Sequence, residues 1–220
     1  MSERAGAARW LTIHDDLLRG MTHALSNRVA TIMAVASLVE LSGADGPSAE
    51  SLRVEAERLE TLLLTLRQLP RRLGAGSEPI LPSDAVHSAI ELHAHHPEGR
   101  DVVCHLLPDG DQMPAYADPN ALQLALAAAL TSAKRRAGNA GSAHVQVSST
   151  NDVVRFVIDV AGVSAESDGT RTDDRLNTAL DASAAAWLLH DCNGTAAVSG
   201  DGITIEVPTL VAARRARHQG

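Results

Sequence analysis

Apolar residues recur at helical spacing over two long stretches in the first third of the chain. From about residue 7 to 42 there is no proline and one internal glycine, Gly20, and the apolar positions are Leu18, Met21, Leu25, Val29, Ile32, Val35 and Val39. A second stretch begins at Pro47-Ser48 and ends at Pro70, with apolar positions Leu52, Leu59, Leu62, Leu63, Leu66 and Leu69. Repeats three and four residues apart predict two long helices. The link over residues 43–46 is so short that the helices must form an antiparallel hairpin.

This hairpin is rich in leucine on more than one face, and a single copy cannot cover all of that surface. Pairing with a second copy as a four-helix bundle is the simplest way to bury it. We therefore predict a homodimer built by a first domain over residues 1–74.

After a glycine-rich linker at residues 74–77, the pattern changes to shorter helices mixed with strands. Ser83 can cap a helix that runs to about His95, and residues 102–107 are predicted to form a strand. Asp118-Pro119 is a cap and first-turn signal for a helix that ends at Gly138.

The strands that follow complete the prediction for the second half. Residues 144–149 and 153–160 form a hairpin around Asn151-Asp152, residues 196–199 pair with 203–207, and a helix over residues 180–190 separates the two pairs. Helices on one face of a mostly antiparallel sheet make an α+β sandwich. We predict this sandwich over residues 78–212, followed by a flexible basic tail over residues 213–220.

Composition narrows the class of protein. The formal net charge of -8 argues against a general nucleic-acid binder, which needs excess Lys and Arg. The chain has no apolar run near the roughly 20 residues that span a bilayer, and its N-terminus does not resemble a signal peptide, so no membrane contact and a cytoplasmic location are expected. The distant Cys104 and Cys192 indicate neither a disulfide framework nor a cysteine zinc site.

His23 is the candidate reactive residue. On a helical wheel, most apolar positions of the first helix lie within roughly 60° of one direction and His23 lies nearly opposite. Its face is otherwise small and polar, carrying Asp16, Arg19, Gly20, Asn27, Ala30 and Thr31. An exposed neutral imidazole on a rigid helix can attack a phosphoryl group, although an exposed histidine is more often only a surface polar residue.

The segment from His23 to Ile32, HALSNRVATI, resembles the phosphoacceptor motif of histidine kinases. The order of hairpin, linker and sandwich also resembles that family, over residues 7–210. The likeness implies that His23 accepts the phosphoryl group and that Asn27, one turn later, orients the water that dephosphorylates a partner. Ala24 stands where the family has an acidic residue that assists attack on ATP, which puts autophosphorylation in doubt.

The family's nucleotide motifs are altered at each matching position of the second domain. Ala128 and Ser132 replace two asparagines that hold magnesium and phosphates, and Val160 replaces the adenine-binding aspartate, although Gly162 is retained. Asp181 lies in a segment that is glycine-rich in the family and would repel phosphates. The resemblance therefore implies a degenerate site, with no ATP or Mg²⁺ bound by this chain.

Other histidines offer weaker candidates. A zinc cluster of His93, His95, His96 and His105 has no standard ligand spacing, so no metal site is predicted. His14 shares the helix of His23 but lacks a motif around it.

The combined prediction is a protein similar to the ChpT-type histidine-kinase-like phosphotransferases. It implies a relay of phosphoryl groups between response-regulator receiver domains through His23, with a hybrid histidine kinase as a further partner and with Arg19 and Arg28 holding the acidic receiver pocket. Two alternatives remain open: a non-catalytic scaffold that binds response regulators, and a divergent kinase that still uses ATP.

Overall fold

A computed structural model describes residues 3–42, 47–69, 76–97, 103–108, 112–137, 141–161, 171–200 and 202–219. The predicted link 43–46, the predicted helix ends at Pro70 and Gly138, and Gly162 lie outside the described residues. None of the described helices is long and apolar enough to cross a membrane.

The chain begins with the predicted pair of long helices, α1 (Glu3–Ser42) and α2 (Pro47–Gln68). They pack along each other as a hairpin, with Leu62 of α2 and Leu69, just after its end, buried. Pro47 is tolerated at the first position of α2 because its missing N–H has no partner inside a helix at that point. The predicted helical hairpin is confirmed.

Three further helices form one layer of the second half: α3 (Pro82–His93), α4 (Pro119–Ala137) and α5 (Arg171–Leu189). The predicted cap of α4 is present, since Asp118 Oδ1 accepts hydrogen bonds from the backbone N–H groups of Asn120 and Ala121 at 2.9 and 3.2 Å. Helix α5 begins earlier than the predicted residue 180, because its first turns are too polar to show an apolar period.

The other layer is a five-stranded sheet. Its strands, in chain order, are β2 (Cys104–Pro108), β4 (Ser142–Ser149), β5 (Val153–Ala161), β6 (Thr195–Ser199) and β7 (Gly202–Pro208), and they lie in the order β2-β4-β5-β7-β6. All pairs are antiparallel except β2 with β4. Two three-residue strands, β1 (Glu78–Ile80) and β3 (Ala115–Ala117), pair separately and were not predicted, because so short a run has no readable alternation.

The core lies between this sheet and the helices. Side chains of alternate strand positions are buried on the inner face, including Val145, Val147, Phe156, Ile158 and Ile205. The positions between them remain at least partly exposed, so the outer face of the sheet is the solvent side. This arrangement confirms the predicted α+β sandwich.

The end of the chain is helical, which corrects the expectation of a flexible tail. Helix α6 (Leu210–Gln219) starts after Thr209, whose hydroxyl accepts a hydrogen bond from the Ala212 N–H at 3.1 Å and donates one to the Asn151 carbonyl at 2.7 Å. Arg215 also pairs with Asp152 at 2.8 Å. The sequence pattern did not predict this helix, because its basic residues interrupt the apolar period.

Helix α1 also packs on α5, a contact that the sequence did not predict. Its buried residues in this half are Trp10, Ile13, Leu17 and Met21. They lie on a face about 100° from Leu18, the direction on which the apolar pattern was centred. Gly6 is part of the contact, because a Cβ there would lie 2.4 Å from the Ser183 carbonyl oxygen of α5. Helix α1 thus packs against the sandwich as well as against α2.

A charged group lies within this contact. Asp181 of α5, whose side chain is fully buried, accepts hydrogen bonds from Arg9 of α1 at 2.6 Å and from Arg135 of α4 at 3.2 Å. Burial raises the pKa of Asp181, while the two guanidinium groups act in the opposite direction. A buried carboxylate requires such partners, so this group fixes the rotation of α1 on the sandwich.

Replacing Arg9 with alanine should destabilise the protein, because Asp181 would lose one of its two charged partners without gaining water. We expect the free energy of unfolding in urea to fall by about 1–3 kcal/mol. Arg215→Ala, which removes an exposed ion pair, is the matched control and should cost about 0–1 kcal/mol. Equal effects of the two substitutions would contradict the role given to Arg9.

Candidate functional site

His23 lies on α1 with an exposed side chain, as predicted. The side-chain amide nitrogen of Asn27, also exposed, is 3.2 Å from His23 Nε2. Residues four apart on a helix lie one above the other, so this contact follows from their spacing. The two residues that the motif likeness singled out are therefore hydrogen-bonded to each other.

This contact has a chemical consequence for the imidazole. If the amide N–H of Asn27 donates to Nε2, the lone pair of the neutral ring is on Nε2 and the ring proton is on Nδ1. Nε2 is then the nucleophilic atom, and it is the ring nitrogen farther from the backbone. With alanine at position 24, no carboxylate on the next residue is available to take the Nδ1 proton.

Most of the predicted partner-contact residues are accessible around His23. Arg19, Ala30 and Thr31 are exposed and Asp16 is half-buried. The Thr31 hydroxyl donates to the Asn27 backbone carbonyl at 2.9 Å, which leaves the Asn27 side chain to His23. Arg19 is 3.5 Å from Asp15, and both side chains are 73% exposed, so this pair is too weak to hold Arg19 in place.

Arg28 has an internal partner that the sequence did not reveal. Its guanidinium donates to Glu55 of α2 at 2.9 Å, and Arg58 donates to the other oxygen of the same carboxylate at 2.6 Å. These hydrogen bonds hold the pKa of Glu55 below its ordinary value. Glu55 is buried and thereby links the two helices of the hairpin, while both arginines stay partly exposed. A pairing between helices cannot be read from the period of either helix alone.

Gly20 corrects the predicted docking surface. It is buried, and a Cβ at this position would lie 1.7 Å from the backbone carbonyl oxygen of His95, just beyond the end of α3. Gly20 therefore lets the sandwich approach α1 closely and is not itself open to a partner. The wheel placed Gly20 beside His23 correctly, but it could not show that the chain's own second half covers it.

The residues at the positions matched to nucleotide binding are enclosed. Ala128 is fully buried in α4, and Ser132 is 2% exposed. The Ser132 hydroxyl donates to Thr178 Oγ1 at 2.9 Å, and Thr178 in turn donates to the Asp174 carbonyl at 2.8 Å. Neither position presents an open polar group to a phosphate or a metal ion.

Asp181 and Val160 complete this set. Asp181 is occupied by Arg9 and Arg135, so its carboxylate is neutralised within the protein. Val160 is half-buried against the core, where an aliphatic side chain cannot accept a hydrogen bond from an amino group. Gly162 falls outside the described residues.

The histidines weighed as a zinc cluster are separated by the fold. His93 and His96 stack with ring centroids 5.0 Å apart, whereas His105 packs edge-on against His144 of the neighbouring strand at 5.5 Å. Among the described residues, no group of three or more His, Cys, Asp or Glu is arranged to hold a metal ion.

His93 is buried with Nε2 3.0 Å from the Thr131 hydroxyl, and Lys134 of α4 is buried nearby. Burial lowers the pKa of His93 well below its ordinary value, and the positive charges of Lys134 and Arg135 act in the same direction. His93 is therefore neutral in the folded protein.

No model of a known protein family and no curated protein matches the chain. Solved structures that are similar to the chain include the histidine kinase AdeS of Acinetobacter baumannii, at 20% identity and a TM-score of 0.45, covering 88% of this chain and 97% of that one. A bacterial phosphotransferase is similar at 16% identity and a TM-score of 0.45, covering 89% and 95%. The histidine kinase ThkA, solved in complex with the response regulator protein TrrA, is similar at 14% identity and a TM-score of 0.44, covering 95% and 65%. The fold class itself follows from the order and packing of the elements described above.

Acid should destabilise the protein through His93. Below about pH 6.5, His93 binds a proton in the unfolded chain but not in the folded state. The contribution of His93 to the free energy of unfolding is therefore complete above that pH and falls below it, by at most about 1.4 kcal/mol per pH unit. We expect His93→Gln, which cannot titrate, to lose less stability than wild type between about pH 7.5 and about pH 5.5 in urea unfolding. Comparing the two proteins cancels the other titrating groups, including Asp181, whose raised pKa acts with the opposite sign.

The matched control is His87→Gln, since His87 is exposed on α3. This variant should follow the wild-type pH dependence. The same acid-induced loss in His93→Gln as in wild type would show that His93 is not responsible.

Proposed function

We propose that this protein is a cytoplasmic histidine phosphotransfer protein of bacterial two-component signalling. His23 takes a phosphoryl group from the aspartate of one receiver domain and passes it to another, without use of ATP. A response-regulator receiver and a hybrid histidine kinase are the proposed partners. The observation that carries the proposal is the exposed His23 whose Nε2 is engaged by Asn27.

Such a transfer requires little of this protein beyond the correct position of the His23 imidazole. The P–O bond of the donor aspartyl phosphate breaks as an N–P bond forms at His23 Nε2, and the ring becomes cationic until the proton on Nδ1 leaves. A loose phosphoryl transition state is stabilised mainly by charge around the phosphoryl oxygens, which the receiver supplies with its own metal ion. Alignment of the imidazole on a rigid helix is the contribution of this chain. Asn27 assists by keeping the lone pair on the outer nitrogen, and its hydrogen bond to Nε2 breaks as that lone pair attacks phosphorus.

The state of the degenerate site supports a route that avoids ATP. Ala128 and Ser132 are enclosed in the packing of α4, and Asp181 is neutralised by two arginines. Opening this region to a triphosphate would break the contact between α1 and α5, which buries Trp10 and Ile13. We therefore include in the proposal that neither ATP nor Mg²⁺ is bound by this chain.

The proposal also includes a homodimer. Leu11, Val29 and Met33 of α1 are 66%, 45% and 65% exposed in the single chain, and at about 100° per residue they lie within roughly 40° of one another. Such a stripe on the hairpin fits a second copy in a four-helix bundle. His23 lies about 80° from Met33 and about 120° from Leu11 and Val29 around the helix, so dimerisation leaves it accessible.

A phosphoryl-transfer assay tests the central proposal. Wild type, His23→Ala and His14→Ala are each mixed with ³²P-labelled receiver domains, and separately with labelled ATP and Mg²⁺. We expect label on wild type and on His14→Ala from the receivers only, and none on His23→Ala. Label from ATP alone would support the divergent kinase, and no label from any donor would favour the scaffold.

Analytical ultracentrifugation tests the dimer. Wild type at micromolar concentration should sediment as a dimer, and Met33→Glu should shift it to monomer because a carboxylate would enter the apolar interface. Leu176→Glu, at a similarly exposed leucine of α5, should remain dimeric. A monomeric wild type would overturn this part of the proposal.

A further inference from the structure

We propose that the segment from His93 to Pro97, at the end of α3, forms part of the surface on which a receiver domain docks. The receiver would then contact the sandwich and the hairpin together. This inference rests on the proposed function and adds to it a role for the second half of the chain.

The first argument is the position of this segment relative to His23. Its backbone lies against Gly20, where an added Cβ would be 1.7 Å from the His95 carbonyl oxygen and 3.5 Å from Pro97 Cδ. Gly20 precedes His23 by three residues, which is about 4.5 Å along the helix axis and roughly 60° around it. The segment is therefore within one helical turn of the reactive histidine.

The second argument is the size of a protein interface. A specific interface covers about 800 Å² of each partner, which corresponds to a patch with a radius on the order of 16 Å. A receiver that brings its aspartyl phosphate to His23 Nε2 centres that patch on His23. It cannot cover an area of this size around His23 without reaching the His93–Pro97 segment.

The third argument is the surface that the segment presents. Ala94 and Pro97 are exposed and carry small, uncharged side chains, while His95 is half-buried. Small side chains allow another backbone to approach closely. The docking surface therefore combines these two small side chains with the exposed cation Arg19, which lies on the other side of His23 around the helix.

The fourth argument is that the segment is held rigidly. The rings of His93 and His96 are stacked at an interplanar angle of 20°, and each side chain is no more than 1% exposed. The His96 N–H donates to the His93 carbonyl at 2.9 Å, and the His95 N–H donates to the Leu92 carbonyl at 3.2 Å. A surface fixed before binding loses little conformational entropy when a partner docks.

The test is a steric block at Ala94, with Ala197 as the matched control. Ala197 is an exposed alanine of β6 on the outer face of the sheet. The helical layer, on which α1 packs, lies on the opposite face. Wild type, Ala94→Trp and Ala197→Trp are each assayed for transfer from a labelled phospho-receiver. They are also treated with phosphoramidate, a small donor that phosphorylates histidine without docking.

We expect Ala94→Trp to reduce the second-order rate of transfer from the receiver by about tenfold or more, because a large ring would hold the partner away. Labelling of His23 by phosphoramidate, measured on the tryptic peptide over residues 20–28, should be unchanged, which shows that His23 is still reactive. Ala197→Trp should behave as wild type in both assays. Pro97→Arg, at a second exposed position, carries the same expectation in case Ala94→Trp fails to fold.

The outcomes separate this inference from the proposed function. Wild-type rates of receiver transfer in both segment variants would overturn the docking role while leaving phosphotransfer in place. Label on wild type from phosphoramidate but never from a receiver would overturn the proposed function and the docking role with it.

Discussion

The packing of α1 against two different parts of the chain is the contact on which the rest of this structure depends. One face of the helix pairs with α2, and its N-terminal half is buried against α5 through Trp10, Ile13 and Leu17. The Arg9–Asp181–Arg135 group sets the rotation of the helix, and the close approach at Gly20 sets its distance from the end of α3. Because α1 is a single rigid element, these contacts also fix the direction in which His23 points.

The same packing accounts for the state of the sandwich. Where the family resemblance expects glycines and asparagines around phosphates, this chain has Ala128, Ser132 and Asp181, and all three are buried within the helical layer. Asp181 is not simply a residue that repels phosphate. It is the buried partner of an arginine from the first helix, so this position has a structural role. The contacts of the sandwich hold α1 in place.

The sequence predicted helices, strands and the exposed face of α1 correctly where the spacing of residues along one segment defined them. The long helices, the capped α4 and the strand pairs β4–β5 and β6–β7 were recognised from spacing and turn residues, and His23 was correctly placed on an exposed face. Contacts between distant segments were not recognised, because no local pattern records them. Arg28 with Glu55, Gly20 with His95, and Arg9 with Asp181 are each such contacts. The short strands β1 and β3 and the basic α6 were missed because their few residues carry too little pattern.

The most direct measurement is to locate the phosphoryl group after transfer from a phosphorylated receiver. Trypsin cleaves after Arg19 and Arg28, and the peptide over residues 20–28 contains His23 and no other histidine, whereas His14 falls in the peptide over residues 10–19. Mass spectrometry at neutral to alkaline pH, where phosphohistidine survives, should find the phosphoryl group on the peptide that contains His23. Its presence on another peptide, or its absence from every peptide while the receiver loses its phosphate only to water, would contradict the account.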